Sequence, residues 1–575
     1  MVKVQWSFND FFVVKQALIA PIFKVITVPQ ALPPTSDCEN TTSIASSIIW
    51  LFFYQYLYHL CGMEYIQAVS RHQVSFSSLE DRIEPDNPVR FIEAFVEHLD
   101  VAQLGYVTTT LKSQGRPPFH PKVFLKLYLY GYLNGIRSSR RLEKEAKRNI
   151  ELQWLLGLLV PNYHSIADFR KVNSKALRNT FKLFVLFLKE ADLIAGTTIA
   201  IDGTKVRAHN SKKNNYSPKK LARHLDYIEK KTNEYLAQLA DNDAAENNVI
   251  VNDVQKKLER LKKNKINYEL LQEKLEQSGE PQISTTDADA RALLVQGQVV
   301  EVSYNMQAAV DDKHKLIVAT HTINRNDRNA MSGIAIEAKE NIEADNFTAL
   351  LDKGYHNGRE IHTCKENNIS TICAQQETVN SNEHGTTPEY LVTQFIYNEA
   401  EDTYTCPEGK TLTTTGTWHK KTRERDSYQF KKYRTPACKT CPVKHLCTGR
   451  AKGGREIERS EYAQAVAENA QRYKANKELY RKRQEINEHI FGTIKRKWGF
   501  SYTDLKGLEK VNGEHSLICL VYNIKRAINI LGMAQILEKL KNWTPNYKGI
   551  LMRNLKTALL EPFYALEKYQ LKIAA

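Results

Sequence analysis

Residues 197–208 read TTIAIDGTKVRA, an apolar, β-branched run that reaches Asp202 and is followed by Gly203. Such residues fit a pleated, half-buried backbone, so the stretch predicts a strand whose apolar part ends on a carboxylate. FTALLDKGYHN at 347–357 repeats the arrangement, with Asp352 closing the run and Gly354 and Tyr355 behind it. In α/β sheets, polar groups at strand ends face a crevice, and a glycine there lets backbone or substrate come close. Further strands are predicted in VVEVSYNMQAAVDD (299–312) and LIVATHTIN (316–324). A helix is predicted from about Glu468 to about Lys497 and contains YRKRQEINEHIFGTIKRK (480–497). Arg481, Glu488 and Lys495 recur there every seven residues, close to two turns, and so lie along one face. That stripe reads either as a metal-binding carboxylate between two phosphate-binding cations or as an exposed salt-bridged face.

Outward from these segments the pattern is helical. Upstream, residues 86–193 carry helical periodicity, with Asp86 placed to cap a helix near Pro88 and a second helix at 121–133 closed by Gly135. A third follows SSRRLEKEAKRN, with Ser138 or Ser139 as its cap. Arg137 precedes it, and Arg140, Arg141, Lys144, Lys147 and Arg148 run along it. A further helix is expected after Ser165, with Asp168 completing a box-like start. Two short helices around a glycine turn, the second strongly basic, suggest a helix-turn-helix that contacts DNA. Between the first two strand regions, KKLARHLDYIEKKTNEYLAQL (219–239) and VQKKLERLKKNKINYELLQEKLEQ (254–277) predict an antiparallel helical hairpin.

Composition bounds the possibilities. The 575 residues are 42% hydrophobic and 25% charged, a globular profile with ample core that excludes global disorder. With 81 Lys and Arg against 65 acids the net charge is +16, which favours a polyanionic partner such as nucleic acid. Residues 1–62 carry none of it: Lys3, Lys15 and Lys24 balance Asp10, Asp37 and Glu39. Their aromatic run at 48–58 is short and interrupted for a membrane span, and no signal-peptide pattern precedes it. The stretch reads as an upstream extension, with Met63 as an alternative start and no membrane partner expected.

Nine cysteines, odd in number and with four crowded together, point to a reducing compartment rather than a disulfide framework. Cys406, Cys438, Cys441 and Cys447 are separated by 31, two and five residues. A C-x2-C pair with two more thiols in a strand-like segment suits a structural zinc, or four free thiols. KKTRERDSYQFKKYR (420–434) mixes basic and aromatic side chains, as phosphate contact with base stacking would, or as a solvated ribbon face would.

IDGTKV (201–206), LDKGYHNGREI (351–361) and EHIFGTIKRKWGF (488–500), in this order, resemble the three catalytic segments of DDE transposases from bacterial insertion sequences. YGYLNGIRSSRRLEKEAKRNIELQWL (130–155), SIADFRK (165–171), TDADAR (286–291), YNMQAAVDDKHKLIV (304–318) and GLEKVNGEHSLICLVYNIKRA (507–527) have counterparts in the same family. The resemblance covers roughly 63–535. It implies an α/β fold: an RNase H-like catalytic core at 194–535, with a helical insertion (211–284) and a Cys-rich, zinc-ribbon-like insertion (396–450). A helical DNA-binding domain (63–193) would precede the core and a helical tail (536–575) follow it. It implies that Asp202, Asp352 and Glu488 hold two Mg²⁺ (or Mn²⁺), with Lys495 and Arg481 facing phosphate. The family signature Tyr-x2-Arg-x3-Glu-x6-Lys is kept from Tyr480 to Arg483 and from Glu488 to Lys495. Four residues rather than three separate Arg483 from Glu488. Glu485 is the alternative carboxylate, but Gly492 stands where its lysine would be, so Glu488 is preferred. Asn487 and Ile490 flank Glu488 where the closest relatives would have an apolar residue and a proline. The implied activity is cleavage and joining of double-stranded DNA at terminal inverted repeats and target sites. A homodimer would act in the bacterial cytoplasm on the nucleoid. A catalytically inactive DNA-binding derivative is the alternative.

Overall fold

In a computed structural model, residues 68–549 are described except 75, 108–116, 210–211, 244–247, 296–298, 376–385, 424–425 and 451. The readings for residues 1–62, for Met63 and for the tail beyond 549 therefore lie outside the described residues. The described residues from Ser77 onward form one compact unit.

Among the described residues, six α-helices come first: α1 (Pro88–His98), α2 (Pro121–Leu133), α3 (Ser139–Arg148), α4 (Ile150–Leu156), α5 (Tyr163–Val172) and α6 (Ser174–Glu190). Their starts differ from the sequence reading because asparagine side chains reach the free amides. Asn87, not Asp86, caps α1 by accepting from Val89 N at 3.0 Å, with Pro88 in the first turn. Asn162 caps α5 by accepting from Ser165 N at 2.9 Å, so that helix begins two residues before Ser165. α2 is buried along nearly its whole length, from Phe124 to Tyr132.

The main sheet is mixed. β1 (Thr198–Arg207) pairs antiparallel with β5 (Val299–Asp311), which pairs on its other side with β4 (Arg291–Val295) and β6 (Ile317–Ile323). On its opposite edge β1 pairs parallel with β7 (Phe347–Leu351), and β7 pairs parallel with β8 (Ile369–Cys373). The order across the centre is β6-β5-β1-β7-β8. α9 (Met331–Asn341) and α10 (Gly358–Glu366) make the connections around β7 and β8. Between β1 and β4 stand α7 (Pro218–Asp243) and α8 (Asn248–Ser278), antiparallel helices rooted on the two-residue ladder of β2 (Asn215–Tyr216) with β3 (Ile283–Ser284).

A second sheet, ordered β12-β13-β11-β10-β9 with β14 beside β13, occupies 396–460. Its strands are β9 (Ile396–Asn398), β10 (Thr403–Thr405), β11 (Thr411–Thr414), β12 (His419–Arg423), β13 (Asp426–Arg434) and β14 (Ile457–Ser460), with the one-turn α11 (Lys444–Cys447) before β14. Then come α12 (Ala463–Ala475), α13 (Lys477–Phe491) and α14 (Leu508–Lys541). The single late helix of the sequence reading is thus two helices broken at Asn476, and a π-helical turn, Gly492–Lys497, follows α13.

One hydrophobic core serves the helices and the main sheet together. α14 joins them. By length and composition it is apolar enough to cross a membrane, yet Val511 to Ile524 are buried in this core. Asn523 binds β6 through Ile317 N (2.9 Å) and Ile317 O (2.7 Å). On the other side a Cβ at Gly513 would lie 2.7 Å from Ser174 Cα, so only glycine lets α14 close on α6 at this point.

Candidate active site

The strand register brings Asp202 and Asp352 together. Ile201 pairs with Leu351 across parallel strands, so the next residue on each chain is one of the two aspartates. Asp352 directly follows the end of β7, as its sequence suggests. Asp202 does not end its strand: β1 continues to Arg207 because β5 pairs with it as far as Ser303. Only the burial ends near Asp202, since four positions beyond Ile201 are half-buried.

Both carboxylates lack a full counter-charge. Burial raises the Asp202 carboxyl to about 6, against the opposing hydrogen bond from Gly203 N (2.8 Å) and the pull of Arg483, while Asp327 and Asp352 push it further up. The Arg483 guanidinium lies between the two aspartates, 3.8 Å from Asp202 Oδ2 and 3.6 Å from Asp352 Oδ1, with no hydrogen bond recorded to either. Its Nε is buried without a partner among the described residues, and its guanidinium lies 5.7 Å from the Tyr480 ring.

Below this pair is a polar floor. Asp327 Oδ1 accepts from Asn305 Nδ2 (2.7 Å) and Gln307 Nε2 (2.8 Å), and Oδ2 from Lys205 Nζ (2.9 Å). Burial opposes its charge, but Lys205 and the two amides outweigh it and hold the carboxyl below its usual range. Tyr355, pushed far up by burial, donates to Gln307 Oε1. Gly203 rests on this floor: a Cβ there would collide with Gln307 Nε2 and lie 2.7 Å from Asp327 Oδ1. The sequence reading missed Asp327, Asn305, Gln307 and Tyr355. The available signal was Asn305 and Gln307, alternate polar positions in the apolar run VSYNMQAAV.

Lys495 reaches β1, donating to Lys205 O (2.9 Å) and Thr204 Oγ1 (3.1 Å), and burial lowers its ammonium from the usual value. Glu488 and Arg481 do not join it. Both are exposed, and among the described residues the Glu488 carboxylate has no hydrogen bond or ion pair. α13 puts Ile486, Asn487 and Ile490 inward with Arg483, and at 100° per residue Glu488 lies about 140° around the helix from Arg483. The π-helical turn breaks the seven-residue stripe before Lys495. Asn487, beside Glu488, is buried, and among the described residues both its amide atoms are unpartnered. Among the described residues, no group of three or more His, Cys, Asp or Glu is close enough to hold a metal ion.

Elsewhere, Cys406, Cys438, Cys441 and Cys447 line one cavity of about 30 Å³ beneath Tyr390 and Phe395. Burial raises the Cys447 thiol, and the other three thiols lie near enough to add to the shift. The basic hairpin of β12 and β13 is largely ion-paired: Lys421 with Glu458, Lys431 with Asp402, and Lys432 and Arg434 with Glu456.

Two segments match known protein families. Residues 77–172 match the family described as Transposase domain (DUF772), and 405–528 match the family described as Transposase DDE domain. Together the two matches indicate a DDE transposase of the insertion-sequence kind. No curated protein matches it. In this transposase the DDE-domain match includes the four clustered cysteines, Glu488 and Lys495, whereas Asp202 and Asp352 lie outside both matched segments.

The first matched segment contains the basic helix. Arg140, Arg141, Lys144, Lys147 and Arg148 of α3 are exposed. Lys147 pairs with Glu143 (2.8 Å), Arg148 pairs with Glu145, and the Arg140 guanidinium lies 5.0 Å from the Tyr163 ring. Arg141 and Lys144 have no ion pair among the described residues. Arg137 is turned inward instead, with Nη2 at 3.1 Å from Glu514 Oε1, 3.2 Å from Asp504 Oδ2 and 2.7 Å from Tyr502 O. The expected DNA contact at Arg137 is thus taken by an internal bond, because Glu514 is fully buried and needs a cation.

Proposed function

We propose that this transposase binds the terminal inverted repeats of its element and catalyses Mg²⁺-dependent cleavage and joining of DNA strands. Asp202, Asp352 and Glu488 would be the metal ligands. The observation that carries the reading is the side-by-side placement of Asp202, in β1, and Asp352, directly after β7, in a sheet ordered β6-β5-β1-β7-β8. That order, three antiparallel strands followed by two parallel ones, supports an RNase H-like core for 194–535.

The residues present fit a divalent cation. Two adjacent carboxylates, one driven up by burial, hold a guanidinium at 3.6–3.8 Å without a recorded hydrogen bond, and oxygen donors suit Mg²⁺ or Mn²⁺. When bound, two such ions activate the attacking oxygen and stabilise the leaving one. The chain's own groups do the rest. Asp327, Gln307 and Tyr355 hold the floor beneath Asp202, Lys495 fastens β1, and Arg483 yields to the ions and turns to phosphate. Glu488 must rotate inward, and the π-helical turn after α13 is where the winding can change. Helices of 63–193, with Arg141 and Lys144 foremost, would bind the DNA ends. Synapsis of two ends calls for a homodimer, acting in the cytoplasm on the nucleoid. Cys406, Cys438, Cys441 and Cys447 would hold one Zn²⁺ that stabilises the 396–450 insertion, as their shared cavity supports.

The outward Glu488 favours a second reading, a DNA-binding derivative without chemistry. Incubating end-containing DNA with the protein and Mg²⁺ separates the two. Cleavage by the intact chain, lost in Asp202→Ala while DNA binding is kept, is expected; no cleavage by the intact chain leaves the second reading. Elemental analysis is expected to find one zinc per chain, absent from Cys438→Ser.

A further inference from the structure

α13 buries an amide and exposes the carboxylate next to it. Arg483 and Asn487 are one turn apart on its inward face, the face that carries Arg483 to Asp202 and Asp352. Asn487 is 2% exposed, and among the described residues neither polar atom of its amide has a partner. An amide buried in that way is costly, and an apolar side chain would suit the place better. Its neighbour Glu488 points a charge into solvent, with no ion pair among the described residues.

The helix holds one residue in reserve. An α-helix advances about 100° and about 1.5 Å per residue, whereas a π-turn takes up one residue more in the same winding. Gly492–Lys497 is such a turn. Its far end is fastened: Lys495 donates to Lys205 O (2.9 Å) and Thr204 Oγ1 (3.1 Å) on β1. The start of α13 is held too, with Tyr480 N donating to Asn476 O (3.0 Å) and the Tyr480 ring 4.9 Å from that of Tyr473. Between these fixed ends the extra residue has two places, the turn it now occupies or the stretch between Arg483 and Glu488. In the second arrangement each residue from Glu488 to Phe491 steps back by one position. Glu488 then takes the inward place of Asn487, and Phe491 takes that of buried Ile490, so the core keeps an apolar side chain there. The step gives up the hydrogen bond between His489 Nδ1 and Tyr522 OH (3.0 Å).

We propose that the π-turn of this helix moves between these two places, and that with it upstream of Glu488 this carboxylate joins Asp202 and Asp352 from the position now held by Asn487. The step removes the buried amide from the inward face and puts there the oxygen donor and the negative charge that divalent cations need. A rigid turn of the whole helix would also bring Glu488 in, but it would carry Ile486 out of the core and pull Lys495 from β1. The register step leaves both in place. The inference rests on the transposase reading and says how its third carboxylate is brought to the other two.

The test reads the Mn²⁺ concentration that raises the melting temperature of the full chain, without DNA. Glu488→Gln, on an exposed side chain, is expected to raise that concentration about tenfold, because divalent-ion affinity follows the number of ligand charges. Deleting Thr493 removes the extra residue with Glu488 left outward. That chain is expected to match Glu488→Gln, and to lose nothing more when the two changes are combined. Deleting Gln484 removes the extra residue with Glu488 inward, and is expected to bind Mn²⁺ more tightly than the wild type, a gain that Glu488→Gln abolishes. A wild-type Mn²⁺ response indifferent to Glu488→Gln overturns the proposal, and so does a Thr493 deletion that binds Mn²⁺ like the wild type. If the response is lost in Asp202→Ala yet untouched by Glu488→Gln, the register step alone is wrong. If the wild type does not respond to Mn²⁺ at all, the metal-dependent reading fails as well.

Discussion

Two places in this molecule set arginine against paired carboxylates, and they are built in opposite ways. Between the helical region and α14, Arg137 and Arg170 meet Asp504 and Glu514 at 3.1–3.8 Å. Further bonds tie the cluster in, although among the described residues Nε of both arginines is buried without a partner: Tyr132 OH accepts from Arg170 Nη1 at 2.6 Å, and Asp504 N and Leu505 N donate to Glu514. Phe500 and Tyr502 sandwich Arg137, with ring centroids 4.4 and 4.6 Å away. At the candidate active site a single guanidinium faces two aspartates at longer range, and those carboxylates are 32% and 45% exposed. The first cluster is buried and closely ion-paired, and it holds two layers together. The second is more open and more loosely paired, as a site that exchanges its counter-ion would be.

The sharpest break of the comparison is Glu514→Ala. Removing one partner of a buried ion network typically costs about 3–5 kcal/mol. A clear loss in the urea midpoint is expected, while a loss under 1 kcal/mol in urea unfolding would make the cluster ornamental. Acid attacks the same cluster through His515, which burial, with Arg137 adding to it, depresses to about 3. A depressed histidine is neutral when folded and takes up its proton on unfolding. Stability is therefore fully present above about pH 6.5 and declines below it, by roughly 1.4 kcal/mol per pH unit until the folded value is reached. Unfolding curves from pH 7 to 4.5 are expected to show that slope, and His515→Phe to flatten it.

Arg483→Ala is expected to change stability by less than about 1 kcal/mol, because the ion pairs are long and partly exposed. The same change removes the cation that competes for the aspartates, so the Mn²⁺ concentration that raises the melting temperature should fall. An unchanged Mn²⁺ midpoint would detach Arg483 from ion exchange. The smallest stability effect is expected from Arg141→Ala with Lys144→Ala, within about 0.5 kcal/mol, as for surface sites generally. If these residues contact phosphates, the slope of log affinity against log salt should drop by about 0.9 per residue.

Much of this arrangement was legible in the residues. The apolar runs ending at Asp202 and Asp352 announce two strands, and the helical hairpin follows from long charged periodicity. Helix boundaries were less legible, because Asn87 and Asn162 outcompete Asp86 and Ser165 for amides only once the chain has turned. Arg481 and Glu488 do share a face of α13, but periodicity alone does not say which face is buried, and it is Ile486, Asn487 and Ile490 that turn inward. The π-helical turn then shifts the phase at Lys495, which alone of the stripe reaches β1.

Local chemistry in the sequence determined which segments are strands, which helices are amphipathic, and which carboxylates and thiols are candidates. These assignments rest on periodicity and side-chain type, which act over a few residues. Tertiary structure alone decided which charges are spent. Arg137 and Arg140 belong to the same basic run, yet one is locked to a buried glutamate nearly 400 residues away and the other faces solvent. Burial turns a charge into an obligation to find a partner, and burial is set by contacts that no local pattern records.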